Sequence, residues 1–192
     1  MTAILKVDEI QDTSGNNIIN ESSDTITIGA SGDTVNVVGT LQNNGAAVGG
    51  TNTPAFFAFA NANQVIANTT YTKVEIDTEV VDSDSKFDTS NYRFTPGTAG
   101  YYIVGGFVRF DSNSTSNDTR LGIYKNGSTY YQIVKRMENV FSLSINQVVY
   151  LDADDYVELF CYHSRGSNMS INGNSTFDSV AATFYGYKLI GV

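Results

Sequence analysis

Hydrophobic residues divide the chain into two unequal parts. All 12 Tyr and 11 Phe lie between Phe56 and Tyr187, and the first 55 positions contain none of them. Because aromatic side chains bury the largest area per residue, a segment that lacks them cannot build an ordinary core by itself. The pattern predicts an N-terminal segment over residues 1–50 that needs partners, and a C-terminal domain over residues 51–192 that contains the core.

Alternating apolar and polar residues recur in short runs from Phe56 onward. Turn-forming residues separate these runs, and Asn126-Gly127 is the sharpest signal because this dipeptide suits a type I′ hairpin turn. β-formers are plentiful, only two prolines occur, and no window is rich in helix formers. The predicted fold class is therefore all-β, a sandwich whose strands cover 56–60, 72–81, 93–95, 101–110, 120–124, 130–137, 141–150, 156–163 and 180–189.

Several of these strands carry apolar side chains on both faces. In the run 156–163, Val157, Leu159 and Cys161 alternate with Tyr156, Phe160 and Tyr162. An antiparallel strand normally has one solvated face, so the second apolar face is expected to meet a neighbouring subunit. The aromatic residues expected to supply this inter-subunit or core packing are Tyr102, Phe107, Phe160 and Tyr185.

The N-terminal segment contains two similar strand patterns. Asp24–Gly29 and Asp33–Val38 are offset by nine residues and are joined by a Gly-containing turn. An isolated two-stranded hairpin is marginally stable in water, so its apolar side chains need cover from other copies of the chain. The residues expected to form a core shared by three chains, in a short β-rich trimeric stem, are Ile26, Ile28, Val35 and Val37.

Charge leaves a second interpretation of this segment open. Residues 1–50 hold six acidic residues and one Lys, a composition that also suits a disordered acidic leader. Residues 39–54, with several Gly, Thr and Asn, are interpreted as a flexible linker. The whole chain has a formal net charge of -9, which disfavours binding to nucleic acid or to an anionic membrane surface.

The sequence contains few signals for export, membrane insertion or covalent cross-linking. The first residues lack a basic region followed by an apolar run, so no signal peptide is expected. No stretch approaches the roughly 18 apolar residues of a membrane helix, and no membrane insertion is expected. Cys161 is the single cysteine, so stability is expected to come from packing or from other chains.

Four motifs in the C-terminal domain resemble the signature of the C1q domain. Phe94, Gly100 and Tyr102 fall in register with it; Leu121–Gly127 is similar to its L-x-K-N-G hairpin, Val149–Val157 to its L-x-x-G-D-x-V motif, and Phe184–Ile190 to its closing F-x-G-x-L-L strand. Pro96 lies one place early, and Asp154 replaces the Gly expected before Asp155, so the turn there is expected to differ. The resemblance spans residues 54–192 and implies a C1q/TNF-like jelly roll that forms homotrimers.

The start of the chain is similar to the openings of structural and tail-fibre proteins of marine bacteriophages, through Leu5–Ile10 and Asp12–Asn16. No collagen-like Gly-X-Y run precedes the C-terminal domain, which argues against complement-type animal proteins. The resemblance implies a virion fibre protein of the phage tail or head. Its N-terminal segment is expected to dock on other virion proteins, and its C-terminal domain to contact a glycan or protein of the host cell surface.

Two further functions remain as alternatives. The first is purely structural: a head fibre, capsid decoration or tail adaptor in which the jelly roll only trimerises. The second is a glycan depolymerase with paired carboxylates. The expectation from the sequence is a protein that is not an enzyme, because no phosphate-binding Gly loop and no Ser-His-Asp signature occurs.

Some residues have the chemistry of catalytic or metal sites. Cys161 and His163 share one strand face and could form a nucleophile pair or bind a metal; the alternative is a buried thiol and a histidine at the rim. Three acidic stretches, 82–84, 111–118 and 152–155, could coordinate Ca²⁺, which some members of the resembled family hold near the trimer top. The alternative is turn formation by Asp, because none follows the spacing of a Ca²⁺ loop, and no other cofactor is expected.

Aromatic and Asn-rich segments are candidates for contact with a host glycan. Tyr130 and Tyr131 could stack on sugar rings, and Asn168 and Asn172 could donate and accept hydrogen bonds. The alternative is trimer packing for the tyrosines and solvated loops for the asparagines.

Overall fold

The computed structural model describes residues 9–11, 13, 17–22, 25–29, 31–39, 41–43, 46–47, 52–110, 116–137, 142–174 and 181–190. The chain forms two compact units, Met1–Gly50 and Thr51–Val192. All regular structure within the described ranges is β-strand, so the predicted all-β class is confirmed.

The first unit contains five short strands: β1 (Glu9–Gln11), β2 (Asn17–Ser22), β3 (Thr25–Ile28), β4 (Gln42–Asn43) and β5 (Ala46–Ala47). β1, β2 and β3 form an antiparallel sheet in chain order, and β4 pairs with β5. In the single chain Ile26 is 68% exposed and Ile28 is 54% exposed. The small sheet therefore leaves these apolar side chains open to solvent.

The predicted pairing of the two similar N-terminal patterns is wrong. β3 matches the first pattern, but it pairs with β2, while Asp33–Val38 forms no strand. Ser22 pairs with Thr25 across only two intervening residues. The β2–β3 hairpin therefore closes a shorter loop than the predicted hairpin between Asp24–Gly29 and Asp33–Val38 would. Val35 and Val37 are exposed outside any ladder.

The second unit contains the long strands of the molecule. They are β6 (Ala55–Phe59), β7 (Gln64–Ile66), β8 (Thr72–Lys73), β9 (Thr78–Asp82), β10 (Phe87–Asp88), β11 (Arg93–Phe94), β12 (Gly100–Arg109), β13 (Ser116–Lys125), β14 (Ser128–Met137), β15 (Ser142–Leu151), β16 (Val157–His163), β17 (Met169–Ile171) and β18 (Thr183–Lys188). Most coincide with predicted runs. The short strands β7, β10 and β17 were not predicted, because two or three residues are too few to show a period.

Two antiparallel sheets form a sandwich. Sheet I has the order β15-β12-β18-β6-β9, and sheet II has the order β10-β11-β16-β13-β14, with β8 also paired to β16. A separate pair, β7 and β17, lies outside both ladders. The buried residues of the two sheets form one hydrophobic cluster between them. Each sheet thus has one face packed against the other sheet and one outer face.

The single strand predicted over residues 72–81 is interrupted. β8 pairs with β16 in sheet II, whereas β9 pairs with β6 in sheet I, so the chain crosses between the sheets over residues 74–77. Val74 and Ile76 are fully buried at this crossing and belong to the central hydrophobic cluster. The alternation of apolar residues continues through the crossing although the ladder does not.

The Phe56 ring joins the two sheets. Phe56 belongs to β6 in sheet I, and its ring centroid lies 4.9 Å from that of Phe87 and 4.5 Å from that of Phe94, both stacked and both in sheet II. Phe184 of sheet I meets it edge-on at 5.0 Å. Tyr102 extends this cluster, since its ring lies 5.8 Å from Phe94. The aromatic residues of the C1q-like signature therefore meet in the core.

Two other motifs of that signature contact each other through Asp155. Its carboxylate accepts hydrogen bonds from Asn126 Nδ2 at 2.6 Å and from the Asp152 amide at 2.7 Å, and forms an ion pair with Lys125 Nζ at 2.6 Å. Asn126 and Gly127 have φ values of 51° and 74°, as the predicted type I′ turn requires. The bond from Lys125, followed by that from Asn126, lowers the pKa of Asp155 to about 2. The hairpin and the β15–β16 turn are thus tied together by one ionised carboxylate.

Replacing Phe56 with Ala is expected to lower the free energy of unfolding by about 3–5 kcal/mol, because it opens a cavity between the two sheets. Urea denaturation followed by tyrosine fluorescence measures this loss. Tyr130→Ala is the control, since this exposed ring on β14 can be removed at a cost below about 1 kcal/mol. Equal losses for the two variants would contradict the role given to Phe56.

The Asp155 network predicts a pH dependence of stability. The pKa of Asp155 lies below its ordinary value of 3.8, so its contribution is complete above about pH 4 and is lost as the pH falls towards about 2. The free energy of unfolding is expected to fall by about 2 kcal/mol across this pH range, as measured by denaturation curves. Asp155→Asn should remove that part of the pH dependence, whereas Asp154→Asn, at an exposed position of the same turn, should keep it.

Candidate interaction surfaces

The outer face of sheet I is rich in aromatic and aliphatic side chains. Tyr101 on β12 pairs with Tyr150 on β15, and their rings meet edge-on at 5.2 Å. Val148 lies near them on β15, and the exposed fractions of Tyr101, Tyr150 and Val148 are 46%, 44% and 45%. The remaining members, which are half-buried, are Phe57, Ile103, Phe107, Tyr185 and Tyr187. We call this surface the tyrosine face.

A glycine in the centre of the tyrosine face makes room for an aromatic ring. Gly105 pairs with Tyr185 across β12 and β18. A Cβ atom at Gly105 would lie 2.4 Å from Cζ of Tyr185 and 2.9 Å from the carbonyl oxygen of Ile145. The Tyr185 ring therefore lies across Gly105, in the space that a side chain at position 105 would occupy.

The four predicted packing residues lie on three different surfaces. Phe107 and Tyr185 are on the tyrosine face, whereas Tyr102 points into the core and Phe160 lies on the outer face of sheet II. The Tyr102 hydroxyl donates a hydrogen bond to the carbonyl oxygen of Thr98 at 2.7 Å. Burial raises the pKa of Tyr102 to about 12, so this donor keeps its proton.

The outer face of sheet II carries a second aromatic cluster, which we call the aromatic platform, composed of Tyr71, Arg120, Tyr124, Phe160 and Tyr162. Phe160 stacks on Tyr124 with ring centroids 4.0 Å apart, and the Tyr71 ring lies 4.8 Å from that of Tyr162. The guanidinium of Arg120 is 5.0 Å from the centre of the Tyr162 ring, which is within range of a cation–π contact.

Hydrogen bonds fix the arginine of the aromatic platform. Arg120 Nη1 donates to the Tyr71 hydroxyl at 2.7 Å, and Nη2 donates to Asp118 Oδ2 at 3.0 Å. The Tyr71 hydroxyl in turn donates to Gln132 Oε1 at 3.0 Å. The bond to Asp118, followed by that to Tyr71, raises the pKa of Arg120. The sequence pattern did not reveal this contact, because Tyr71 and Arg120 are distant in the chain.

The predicted glycan contacts do not form one cluster. Tyr130 and Tyr131 are exposed on β14 near its hairpin with β13, where Tyr131 pairs with Ile123. Asn168 and Asn172 follow the far end of β16, and Asn168 accepts a hydrogen bond from the amide of Asn68. Asn172 is half-buried. The tyrosines therefore lie at one end of sheet II, whereas the asparagines follow the opposite end of β16 and flank β17, outside that sheet.

Cys161 and His163 both face the core. Each is fully buried, so the placement of His163 at a rim was wrong. The His163 ring fills the space beside Phe110, and its Nε2 lies 2.9 Å from the carbonyl oxygen of Ile66, which fits an Nε2–H donor. Burial raises the pKa of the Cys161 thiol to about 12, which keeps it protonated at neutral pH. The pair lacks the accessible thiolate that nucleophilic catalysis requires.

The acidic stretches act in turns where the structure describes them. Asp82 accepts hydrogen bonds from the amides of Lys86 and Phe87, both at 2.9 Å, and Asp155 holds the β15–β16 turn. Residues 111–115 of the stretch 111–118 lie outside the described residues. Among the described residues, no group of three or more His, Cys, Asp or Glu is placed to hold a metal ion. The described ranges also contain no long apolar helix able to cross a membrane.

Comparison with known sequences gives two partial relatives. No protein-family model matches the chain. It is 27% identical over 127 residues to the uncharacterized protein YqcC of Bacillus subtilis, a match that covers 59% of this chain and 35% of YqcC. It is 28% identical over 121 residues to XkdV, a protein of the phage-like element PBSX in the same species, covering 54% of this chain and 18% of XkdV. The chain thus matches about a third of the length of YqcC and about a fifth of the length of XkdV.

Comparison with solved structures identifies the fold. The PRD1 vertex protein P5 superposes with a TM-score of 0.55 at 13% identity, covering 73% of this chain and 99% of that one. The Eiger TNF of S. frugiperda superposes with a TM-score of 0.53 at 11% identity, and the match covers 72% of this chain and 93% of that one. Murine APRIL superposes with a TM-score of 0.50 at 12% identity, and the match covers 70% of this chain and 99% of that one. The C-terminal domain is a C1q/TNF-type jelly roll. The fold predicted from the sequence is confirmed.

The raised pKa of Cys161 predicts that the native thiol resists alkylation. At about pH 8 the folded protein should react with iodoacetamide at least about a hundredfold more slowly than the chain unfolded in guanidinium, because the thiolate is scarce and enclosed. Mass spectrometry of timed samples measures both rates. Rapid labelling of the folded protein, with its Tm unchanged, would contradict the burial of Cys161.

Proposed function

We propose that the protein is a homotrimeric structural component of a phage or phage-like particle, in which the N-terminal segment docks on the particle and the jelly roll contacts the host surface. The observation that carries the proposal is the tyrosine face. Soluble monomers rarely expose a contiguous apolar patch of this kind, and aromatic residues are enriched at the centres of protein interfaces. A face of this composition is suited to burial against another copy of the chain.

The geometry of the tyrosine face supports a symmetric assembly. It extends from the edge strand β15, which carries Tyr150, onto the neighbouring strand β12, which carries Tyr101. In a cyclic trimer each contact is heterologous, so the tyrosine face would supply one side of every interface and a different surface of the next copy would supply the other. The resemblance to the C1q domain supports three copies as the number of subunits.

The N-terminal unit supports the same assembly. Ile26 and Ile28 are exposed on a three-stranded sheet whose strands have only three to six residues. Such a sheet buries too little to offset its conformational entropy alone. Three copies tethered by trimeric jelly rolls would meet at high effective concentration, which favours their mutual packing.

The relatives support a place on a phage particle. XkdV is named as a protein of a phage-like element, and P5 is named as a vertex protein of PRD1. The similarity to a vertex protein also favours the second candidate, a structural head fibre, capsid decoration or tail adaptor that trimerises and contacts no host. Both candidates need the same trimer, and they differ only in whether the jelly roll binds the cell.

The trimer predicts a mass in solution of three times the 20.8 kDa of the chain. Val148→Asp places a charge within the tyrosine face and should convert the trimer to monomer in light scattering, because an unpaired charge cannot be buried in the interface without a large cost. Val65→Asp is the matched control, since Val65 is 61% exposed on β7 outside both large sheets. A monomeric parent protein, or equal effects of the two substitutions, would contradict the proposal.

Host contact is tested with particles that carry the protein. Antibody labelling in electron microscopy should locate it on the particle surface, and an excess of the purified protein should reduce adsorption by competing for host sites. Normal adsorption by particles that lack the protein, with no binding of the purified protein to cells, would favour the purely structural candidate. Release of oligosaccharide from host polysaccharide would instead indicate the glycan depolymerase.

A further inference from the structure

A polar cavity of about 330 Å³ opens at the surface of the C-terminal domain. It lies between the segment around β8 and the turn that joins β10 to β11. Its walls include Gln64, Lys73, Glu75, Ser90, Asn91 and Tyr92. This volume is at the lower end of the range of small-ligand pockets, and the cavity is widely open to solvent, which suits a small ligand that keeps part of its surface exposed.

Hydrogen bonds fix one wall of the cavity through Gln64, which is only 8% exposed. Its Nε2 donates to the carbonyl oxygen of Lys73 at 2.8 Å, and its Oε1 accepts from the amide of Glu75 at 3.0 Å. Both polar ends of the glutamine are thus used to hold the segment that carries the two charged side chains. The backbone of Lys73 and Glu75 is therefore fixed before any ligand arrives.

The opposite wall is held by Asp88. Its Oδ1 accepts hydrogen bonds from the amides of Ser90 and Asn91 at 2.9 and 3.0 Å, and its Oδ2 accepts from Asn91 Nδ2 at 2.7 Å. The Asn91 bonds are the main cause that lowers the pKa of Asp88, so this carboxylate remains ionised at neutral pH. Because the turn is fixed in this way, a ligand would lose little free energy in ordering it.

The cavity offers both hydrogen-bond donors and acceptors. Lys73 Nζ contacts Glu158 Oε1 at 2.5 Å and the carbonyl oxygen of Asn91 at 3.3 Å, which leaves one of the three ammonium donors for a ligand. Among the described residues, the side chains of Glu75, Ser90 and Tyr92 make no hydrogen bond. A carboxylate and two hydroxyl groups are therefore free to bind a ligand.

The charge balance disfavours an anionic ligand. The ammonium of Lys73 is neutralised by Glu158, whose side chain is almost fully buried, and Glu75 adds a further negative charge. Phosphate, carboxylate and nucleic acid would therefore be repelled. An uncharged molecule with several hydroxyl groups matches the donors and acceptors without a charge penalty.

An aromatic residue in the lining indicates the class of this molecule. Tyr92 forms part of the wall of the cavity. A pyranose ring has an apolar C–H face, which packs on an aromatic ring, and a rim of hydroxyl groups, which need donors and acceptors. We infer that the cavity binds a neutral saccharide, with Tyr92 as the aromatic residue that packs on the sugar ring. The inference rests on the proposed host contact and names its ligand as an uncharged glycan.

The test uses the full-length protein and four probes, the methyl glycosides of glucose, galactose, N-acetylglucosamine and rhamnose. Saturation-transfer NMR at millimolar probe concentration should detect binding of at least one of them. The double variant Glu75→Ala/Ser90→Ala should weaken that binding by about tenfold or more, because it removes two ligand-facing polar groups that make no hydrogen bond within the described part of the chain. Glu79→Ala, an exposed glutamate on sheet I, is the matched control and should bind like the parent.

Each outcome separates this inference from the proposed function. Binding that is lost only in the double variant supports the saccharide site. Absence of binding by all four probes, or equal binding by the parent and the double variant, overturns it. The mass in solution and the location on the particle are measured independently, so a trimer on the particle that binds no probe would contradict the cavity's role alone.

Discussion

The contact of Phe56 with Phe87 and Phe94 is the interaction on which the sandwich depends. It is a stack of rings between two sheets that share no backbone ladder. Backbone hydrogen bonds join the strands within each sheet but do not join one sheet to the other. The relative position of the two sheets is therefore set by the side chains that fill the space between them. Once this interior is filled, the aromatic residues on the outer faces are not needed for the core and are available for other contacts.

The sequence predicted the parts of the fold that depend on local patterns. Alternation placed β12, β15 and β16, and Asn126-Gly127 placed the sharpest hairpin, because both signals act within a few residues. The same signals failed at residues 74–77, where the chain changes sheets while its apolar alternation continues. They failed again in the N-terminal segment, since pairing there follows loop length and not the similarity of two strands.

The candidate surfaces were harder to predict because they join residues that are distant in the chain. Arg120 and Tyr71 are separated by 49 positions and meet only because β16 brings β8 and β13 together in sheet II. The cavity combines Gln64, Lys73 and Asn91 in the same way. Phe160 and Tyr185 showed the right period for exposed sheet faces, but the period cannot tell which sheet each strand joins. The two functions proposed use opposite faces of the sandwich, so assembly through sheet I leaves sheet II accessible.

The close fit of Tyr185 over Gly105 also constrains how this protein can change over evolutionary time. Any side chain added at position 105 would overlap the ring at position 185 and the backbone at Ile145. A smaller residue at 185 would remove only the first overlap, because the Ile145 oxygen belongs to the backbone. Position 105 should therefore remain glycine among diverged relatives that keep this strand pairing, even where the residue at 185 changes.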